Sequence, residues 1–357
     1  MSKGHVIDRS DQQALINKAF GERISRDRIN LEISQNPVTL DLFNSFSNED
    51  REKIIAFLAG ERTLQILSDK FFKKILDPEF VPERVESLIS AIYGQKVKII
   101  EVLPKEGIII TEGGSQVIMD IIIRLGDGSI TTVEMQRLGY LFPGERSSCY
   151  VADMLMRQYE RVRSQRGKDF SYKDLKNVNL IVIMEESSRE FKEVSPKYIH
   201  KREVSFDSGA RVKTLENITY ISLDTFRKKK ENEVVTPLDE WLTFFTAETP
   251  EKVLNLINRN PDFLPMYEEI TEYRKSPEEV ISMFSEALKI MDRNTTKYMI
   301  DELHEQIESQ KQTITDQHQT IMAKDQTITD QHQTITDLQQ TVIKLTEHIA
   351  ELEKEVH

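Results

Sequence analysis

The spacing of apolar residues changes along the chain, and the changes predict the order of the structural elements. Between residues 36 and 94 apolar residues recur at helical intervals, and the last of these segments, PERVESLISAIYG, has Pro82 near its start and Gly94 as its stop. KVKIIEV, VIMDIIIRL and SITTVEMQ then have strand character, with GDG between the last two. A helix over about 144–163 leads to NVNLIVIMEES, which is apolar enough for a strand covered on both faces. The predicted order is α-β-β-β-α-β, followed by a further strand at 219–224.

The flanking regions differ from this central domain, which we assign to residues 36–235. Residues 1–35 are polar with little periodicity, so we expect an extension that packs loosely or frays. After Thr236 the pattern is helical again, and three segments begin with Ser or Thr, then Pro, with acidic residues close behind (TPLDEWLTFF, TPEKVLNLINRNP and SPEEVISMFSEALKIMD). This is the pattern of an N-cap and a first-turn proline. It predicts a helical subdomain over residues 236–299.

Residues 300–357 contain an internal repeat, TITDQHQTIMAKDQ followed by TITDQHQTITDLQQ. β-Branched residues recur every seven positions from Ile300 to Val356, and Leu, Gln or Lys occupies the second apolar position of each heptad. A β-branched residue at the first position with Leu at the second favours a parallel two-stranded coiled coil, which the central Gln and Lys weaken. We therefore expect a homodimer through residues 300–357. A trimer and a partly frayed single helix remain open.

Composition limits the class of protein. The chain is 38% hydrophobic, and it has neither an apolar run long enough to span a membrane nor a signal-peptide core, so we expect a soluble cytoplasmic protein, most simply bacterial. The single Cys149 fits a reducing compartment. The net charge of −12 argues against a general nucleic-acid coat, yet residues 124–168 hold 8 Arg and Lys against 5 Asp and Glu. That excess predicts either a local basic surface or an ordinary charged helix face.

Two carboxylates interrupt the central strands. Asp120 lies within VIMDIIIRL, and Glu134 lies in the next strand, although burying an unpaired carboxylate costs several kcal/mol. A two-residue turn would put the two side chains on opposite faces of the sheet. A three-residue connection with Gly128 in the left-handed conformation would set Asp120 opposite Glu134. In that case a divalent cation such as Mg²⁺ would remove the repulsion between them. The alternative is that these polar residues face solvent or an arginine such as Arg124 or Arg146.

Asp120, the segment VEMQ at 133–136 and the segment GERSSCY at 144–150 resemble the PD-(D/E)XK nuclease superfamily, in its branch of nuclease-family transposases allied to recombination-promoting nucleases. The resemblance extends over about residues 60–305 and includes FFKKIL. It implies a restriction-endonuclease-like α/β fold with a mixed sheet. It also implies that Asp120 and Glu134 are catalytic metal ligands for Mg²⁺ or Mn²⁺, and that Gln136 stands where the motif usually has Lys.

The resemblance extends to further site residues. The superfamily often adds an acidic residue from the first core helix, for which Glu86 is the candidate and Glu83 the rival; the alternative is that both are plain surface residues. On the helix after the motif, Arg146, Tyr150 and Arg157 share one face with Arg161. Phosphate contact by the arginines, with Tyr150 bracing the site, would make this a DNA-binding face. The alternative, favoured for Arg157 and Arg161, is pairing with acidic residues such as Asp153 on the same helix.

These features lead to two hypotheses about function. The first is a Mg²⁺-dependent DNA endonuclease of transposase or recombination type, whose coiled coil pairs two active sites. The second is a catalytically weak or inactive nuclease fold that survives as a scaffold or binding protein. Gln136 supports the second hypothesis, because a carboxamide carries no charge. The two opposed carboxylates support the first.

Overall fold

A computed structural model describes residues 9–63, 69–105, 120–138, 143–194, 196–210, 212–230 and 233–355. The chain divides into two units, Met1–Thr295 and Thr296–His357. The helices are α1 (Arg9–Phe20), α2 (Arg26–Ser34), α3 (Pro37–Asn44), α4 (Asn48–Leu58), α5 (Asp69–Ile75), α6 (Pro82–Tyr93), α7 (Pro143–Arg166), α8 (Arg189–Lys192), α9 (Leu223–Phe226), α10 (Pro237–Thr246), α11 (Pro250–Arg259), α12 (Leu264–Glu272) and α13 (Pro277–Glu355). The strands are β1 (Ile99–Val102), β2 (Ile121–Leu125), β3 (Ile130–Leu138), β4 (Val178–Glu186), β5 (Ile199–Lys201) and β6 (Glu216–Ser222).

The described strands form one mixed sheet in the order β1-β2-β3-β4-β6-β5. β1, β2 and β3 are antiparallel neighbours, β3, β4 and β6 run parallel, and β5 is antiparallel to β6. The predicted order α-β-β-β-α-β is confirmed as α6-β1-β2-β3-α7-β4, and β6 is the further strand expected near residues 219–224. The edge strand β5 was not predicted, because three residues are too few to show a period.

The β2–β3 hairpin has the three-residue connection that sets Asp120 against Glu134. Ile121 faces Val133 and Ile122 faces Thr132 in the register of the two strands. The connection is closed by a hydrogen bond from the Leu125 N–H to the Ser129 carbonyl (2.9 Å). Gly128 has φ +86°, a left-handed conformation that a residue without Cβ adopts readily.

Strand alternation sends side chains into two separate cores, one on each face of the sheet. On the first face, Ile121, Ile123 and Val133 join the large core formed with helices of the first unit. On the second face, Ile122 and Val182 pack under α7. By alternation, Glu134 points to the face that α7 covers.

The described part of residues 1–35 packs more closely than expected, and residues 236–275 join the same core. Phe20, Ile29 and Ile33, from α1 and α2, are fully buried in the large core, so the prediction that residues 1–35 pack loosely is wrong for the described part of this segment. Ile29 and Ile33 of α2 point inward while Leu31 between them is exposed, so the residues that join the core are few and hard to recognise in a mostly polar segment. The helices α10 to α12 belong to the same unit and core. For example, Trp241 Nε1 donates to Ser87 Oγ of α6 (3.2 Å).

The predicted helix starts after residue 236 are confirmed. α10, α11 and α13 begin at Pro237, Pro250 and Pro277. At α10 the Thr236 hydroxyl accepts from the Asp239 N–H (3.1 Å), while Asp239 Oδ2 accepts from the Thr236 N–H (3.0 Å). This reciprocal capping box satisfies donors that the first helical turn leaves without partners.

Within the second unit, Thr296–His357, α13 carries the heptad repeat. The apolar heptad residues of the single chain are exposed, with 64% of Ile314, 54% of Ile321 and 60% of Leu338 accessible to solvent. A helix in this region is confirmed, whereas its pairing with a second chain stays a prediction. Of the helices in the described residues, none combines the length and apolarity needed to cross a bilayer.

Candidate active site

Asp120 and Glu134 come together where the β2–β3 hairpin opens. Asp120 directly precedes β2, and the strand register sets it opposite Glu134 in β3. The Asp120 N–H donates to Glu134 Oε1 (3.2 Å), and the Met135 N–H donates to Asp120 Oδ2 (3.0 Å). Each carboxylate is therefore held by the backbone of the other strand. The pairing needs the three-residue turn, since a shift of one residue would send Glu134 to the opposite face.

Glu134 is an acid in an unfavourable environment for its charge. Only 5% of the residue is exposed. Burial, and secondarily the negative charge of Asp120, raises the pKa of Glu134 to about 8, against the opposing influence of the Asp120 N–H, the Thr132 hydroxyl and the Arg146 charge. The Thr132 hydroxyl is a weak donor here, because its one proton is better placed toward the Ile121 carbonyl (2.7 Å) than toward Glu134 (3.3 Å). Without a bound cation, the surroundings of Glu134 therefore favour its neutral form more than water does.

Lys73, which the sequence did not assign to the site, forms an ion pair with Asp120. Lys73 Nζ, from α5, lies 3.3 Å from Asp120 Oδ1. Helix α5 is held in place by Phe72, Ile75 and Leu76, all buried in the large core. The available signal was the segment FFKKIL, which belongs to the family resemblance. Nothing in its spacing linked Lys73 to a carboxylate in another part of the chain.

Arg146 and Tyr150, two predicted DNA-binding residues, lie on the same face of the sheet as the pair. The Arg146 guanidinium donates to the Tyr150 hydroxyl (2.7 Å) and lies 5.2 Å from the centroid of its ring. Tyr150 is 6% exposed and packs in the smaller core under α7. The positive charge of Arg146 lowers the pKa of the Glu134 carboxyl. Contact of either residue with DNA stays a prediction.

Gln136 follows Glu134 on the same face of β3, two residues along the strand. It is half-buried and is paired in register with Met184 of β4. The structure thus brings the three motif positions, Asp120, Glu134 and Gln136, to one end of the hairpin. Their catalytic roles stay a prediction.

Glu86 lies elsewhere, and its prediction as a metal ligand is wrong. Its carboxylate accepts from the Ile99 N–H (2.8 Å) and forms an ion pair with Lys98 (3.2 Å). Ile99 pairs with Leu125, at the turn end of β2 and therefore at the opposite end from Asp120. Glu86 thus fixes the start of β1 on α6. Its rival Glu83 is exposed on the same helix.

Arg157 is engaged within the protein, and its contact with DNA stays a prediction. Its side chain is 14% exposed, forms an ion pair with Asp153 (2.8 Å) and donates to the Pro104 carbonyl (2.6 Å). The alternative pairing with Asp153 is the one observed. Arg161 likewise pairs with an acid, Glu101 (2.5 Å). Gln158 of the same helix accepts from the N–H of Lys176 (2.6 Å), a residue just before β4 at the turn end of the sheet.

The two carboxylates fit a divalent cation. Within the described ranges, no three or more His, Cys, Asp or Glu side chains gather as a metal site. A cation here would therefore rely on Asp120 and Glu134 together with water and substrate. Mg²⁺ commonly binds in this way, through one or two carboxylates, water and substrate phosphate. A cation would also relieve the repulsion between the buried Glu134 carboxylate and Asp120, which contributes to the raised pKa of Glu134.

The described fold has a mixed sheet, a long helix across one face of it and two opposed carboxylates at a hairpin. These features are consistent with the fold class of the PD-(D/E)XK nucleases. A family model described as PD-(D/E)XK nuclease family transposase matches residues 66–323, well over half of the chain, and the chain belongs to that family. The resemblance inferred from the sequence is thereby confirmed. No curated protein and no solved structure matches the chain. Family membership suggests a nuclease or transposase role, with DNA as the substrate.

Proposed function

We propose that this protein is a divalent-metal-dependent endonuclease that hydrolyses phosphodiester bonds in DNA during transposition or recombination. The observation that carries the proposal is the direct opposition of Asp120 and Glu134, with Glu134 almost fully buried. Burying two like charges side by side is unfavourable for folding. Such an unfavourable pair of acids is expected at an active site, where the reaction requires groups with shifted pKa values.

The roles of the residues follow from their places. Asp120 and Glu134 would hold Mg²⁺ or Mn²⁺, and the ion would activate water and stabilise the charge that develops on the phosphate. Gln136 would orient the water or the scissile phosphate by hydrogen bonds, since its amide both donates and accepts. Arg146 would contact the phosphate backbone. Its bond to the buried Tyr150 hydroxyl would hold the guanidinium in position.

The second unit supports a dimer. The exposed β-branched residues of α13 repeat every seven positions, so two copies of the helix could bury them against each other. A parallel homodimer through residues 300–357 would bring two nuclease units together, which suits cleavage of both strands of a duplex.

The alternative function is a scaffold or binding protein that has lost chemistry. Gln136 and the ion pair between Lys73 and Asp120 favour it, because an ammonium can neutralise a carboxylate without any metal. The two functions differ in what the carboxylates bind. The scaffold predicts no metal-dependent cleavage and no change in activity when either acid is removed.

The experiment is cleavage of supercoiled plasmid by the full chain with Mg²⁺ or Mn²⁺. Asp120→Ala and Glu134→Ala should abolish nicking and linearisation, and EDTA should do the same to the wild type. Glu86→Gln is the matched control, because Glu86 also lies against the sheet but at its opposite end, and it should retain cleavage. A wild type as inert as both alanine variants would refute the nuclease and favour the scaffold.

A further inference from the structure

The cation next to the carboxylate pair comes from a different element than the motif. The motif usually has Lys two residues after its second acid, where this chain has Gln136. The ammonium observed beside Asp120 belongs instead to Lys73 of α5. We propose that Lys73 supplies the positive charge that the motif lysine usually brings, and that it positions Asp120. This inference rests on the proposed nuclease function.

The contacts of Asp120 show how Lys73 acts on it. Asp120 Oδ2 accepts from the Met135 N–H (3.0 Å), and Oδ1 faces Lys73 Nζ (3.3 Å). The two interactions reach different oxygens, one from the neighbouring strand and one from a helix, so together they fix the orientation of the carboxylate. Neither uses Glu134, which remains the partner across the hairpin.

Folding stability alone explains this ion pair poorly. A third of the Lys73 side chain and 15% of the Asp120 side chain are exposed. Most of the pair is thus removed from water, and the cost of that desolvation offsets much of the attraction, so such a pair is weak evidence of a role in stability. The accessible third of Lys73 suits a residue that must meet a substrate arriving from solvent.

Helix α5 presents two adjacent lysines in different directions. Phe72 and Ile75 are buried, which fixes the rotation of the helix. Lys73 then reaches Asp120, whereas Lys74 Nζ lies 4.5 Å from the centroid of the Tyr273 ring. Of the two adjacent lysines, Lys73 therefore lies at the carboxylate pair, and Lys74 provides a matched control.

The chemistry of the two side chains explains why a lysine is needed. The amide of Gln136 can orient a group through hydrogen bonds but carries no charge. An ammonium places a full positive charge where negative charge develops in the transition state of phosphodiester cleavage. Lys73 and Gln136 would thus divide between them the two roles of the single motif lysine, charge and orientation.

The test compares plasmid cleavage by wild type, Lys73→Ala, Lys73→Arg and Lys74→Ala under single-turnover conditions with Mg²⁺. Loss of one charge that acts on the transition state should slow Lys73→Ala by about 100-fold. The protein concentration at half-maximal rate should hardly change. Lys73→Arg should recover part of the rate, because it restores the charge, and Lys74→Ala should cleave like the wild type. Cleavage by Lys73→Ala at the wild-type rate would overturn the inference while leaving the proposed nuclease intact.

A readout independent of cleavage is the binding of Mn²⁺ to the same variants, measured by calorimetry without DNA. Because the ammonium and the metal compete for Asp120, Lys73→Ala should bind Mn²⁺ several-fold more tightly than the wild type and unfold at a similar temperature. Weaker Mn²⁺ binding together with a lower unfolding temperature would make Lys73 a structural residue and overturn the inference. An inert wild type that still binds Mn²⁺ would refute the nuclease function, and with it the role of Lys73 in cleavage.

Discussion

Replacing Glu134 by glutamine removes an acid that is buried beside a second acid. In the folded chain without metal, burial and the charge of Asp120 raise the pKa of Glu134 from 4.5 to about 8. Between these two values the folded state binds a proton that the unfolded state has lost. The free energy of unfolding must therefore decrease as pH rises through this window, and the full contribution of Glu134 is present only below about pH 4.5.

The size of the effect follows from the shift. A difference of about 3.5 pKa units corresponds to about 5 kcal/mol, at roughly 1.4 kcal/mol for each unit. This is an upper figure, because the site can relax and admit water when Glu134 ionises. We expect the wild type to lose about 2–4 kcal/mol of unfolding free energy between pH 5 and pH 8. Glu134→Gln cannot ionise and should lack this dependence.

The assay is urea unfolding of the full chain in EDTA at several values between pH 5 and pH 8. Glu145→Gln is the matched control, because Glu145 is exposed at the start of α7 and its replacement should keep the wild-type slope. Adding Mg²⁺ should stabilise the wild type more at pH 8 than at pH 5, since the metal binds the ionised acid. If wild-type stability is constant or increases over this range in EDTA, the buried, destabilised carboxylate is refuted.

Three other predictions concern the rest of the fold. Arg274→Met should reduce the free energy of unfolding by about 3 kcal/mol in urea titrations, because the buried guanidinium donates to backbone carbonyls at the ends of α1 and α4. Against the effect of burial, hydrogen bonds from Tyr198 and Lys229 lower the pKa of Asp239 to about 2. Wild-type stability should therefore decrease as pH falls from about 4 to 2, whereas Asp239→Asn should be less stable at pH 7 and lack that decrease. Ile321→Asp with Ile328→Asp should sediment as a monomer at a concentration where the wild type is a dimer; a monomeric wild type would refute the coiled-coil dimer.

Local chemistry made the hairpin and its carboxylates predictable from the sequence. Alternation assigned Asp120 and Glu134 to neighbouring strands, and the glycines of GDG indicated a turn between them, with two turn lengths left open. The structure has the three-residue turn, which sets the two acids opposite each other. Both signals act over a few residues. The helix starts at Ser/Thr-Pro were predictable for the same reason, because a cap and a first-turn proline are fixed by neighbours in the chain.

The contacts that the sequence could not predict all depend on tertiary packing. Lys73 reaches Asp120 only because α5 docks on the large core in one rotation, which no local pattern encodes. Helical spacing put Arg146 and Arg157 on one face of α7, but it could not show that the segment after β1 contacts Arg157. Arg157 consequently binds the Pro104 carbonyl, while Arg146 remains near Glu134.

The charges around the hairpin suggest how one site can be both foldable and reactive. Once a metal is bound and both acids are ionised, Asp120 and Glu134 bring two negative charges and Lys73 and Arg146 bring two positive charges, so these four side chains balance. A site built from the acids alone would repel itself and resist burial until metal arrived. With the two cations present, a bound divalent ion leaves an excess of positive charge, which an incoming phosphate diester would neutralise. If this balance is essential, a chain with Gln136 at the motif position must obtain its second cation elsewhere, and α5 is the element that provides it.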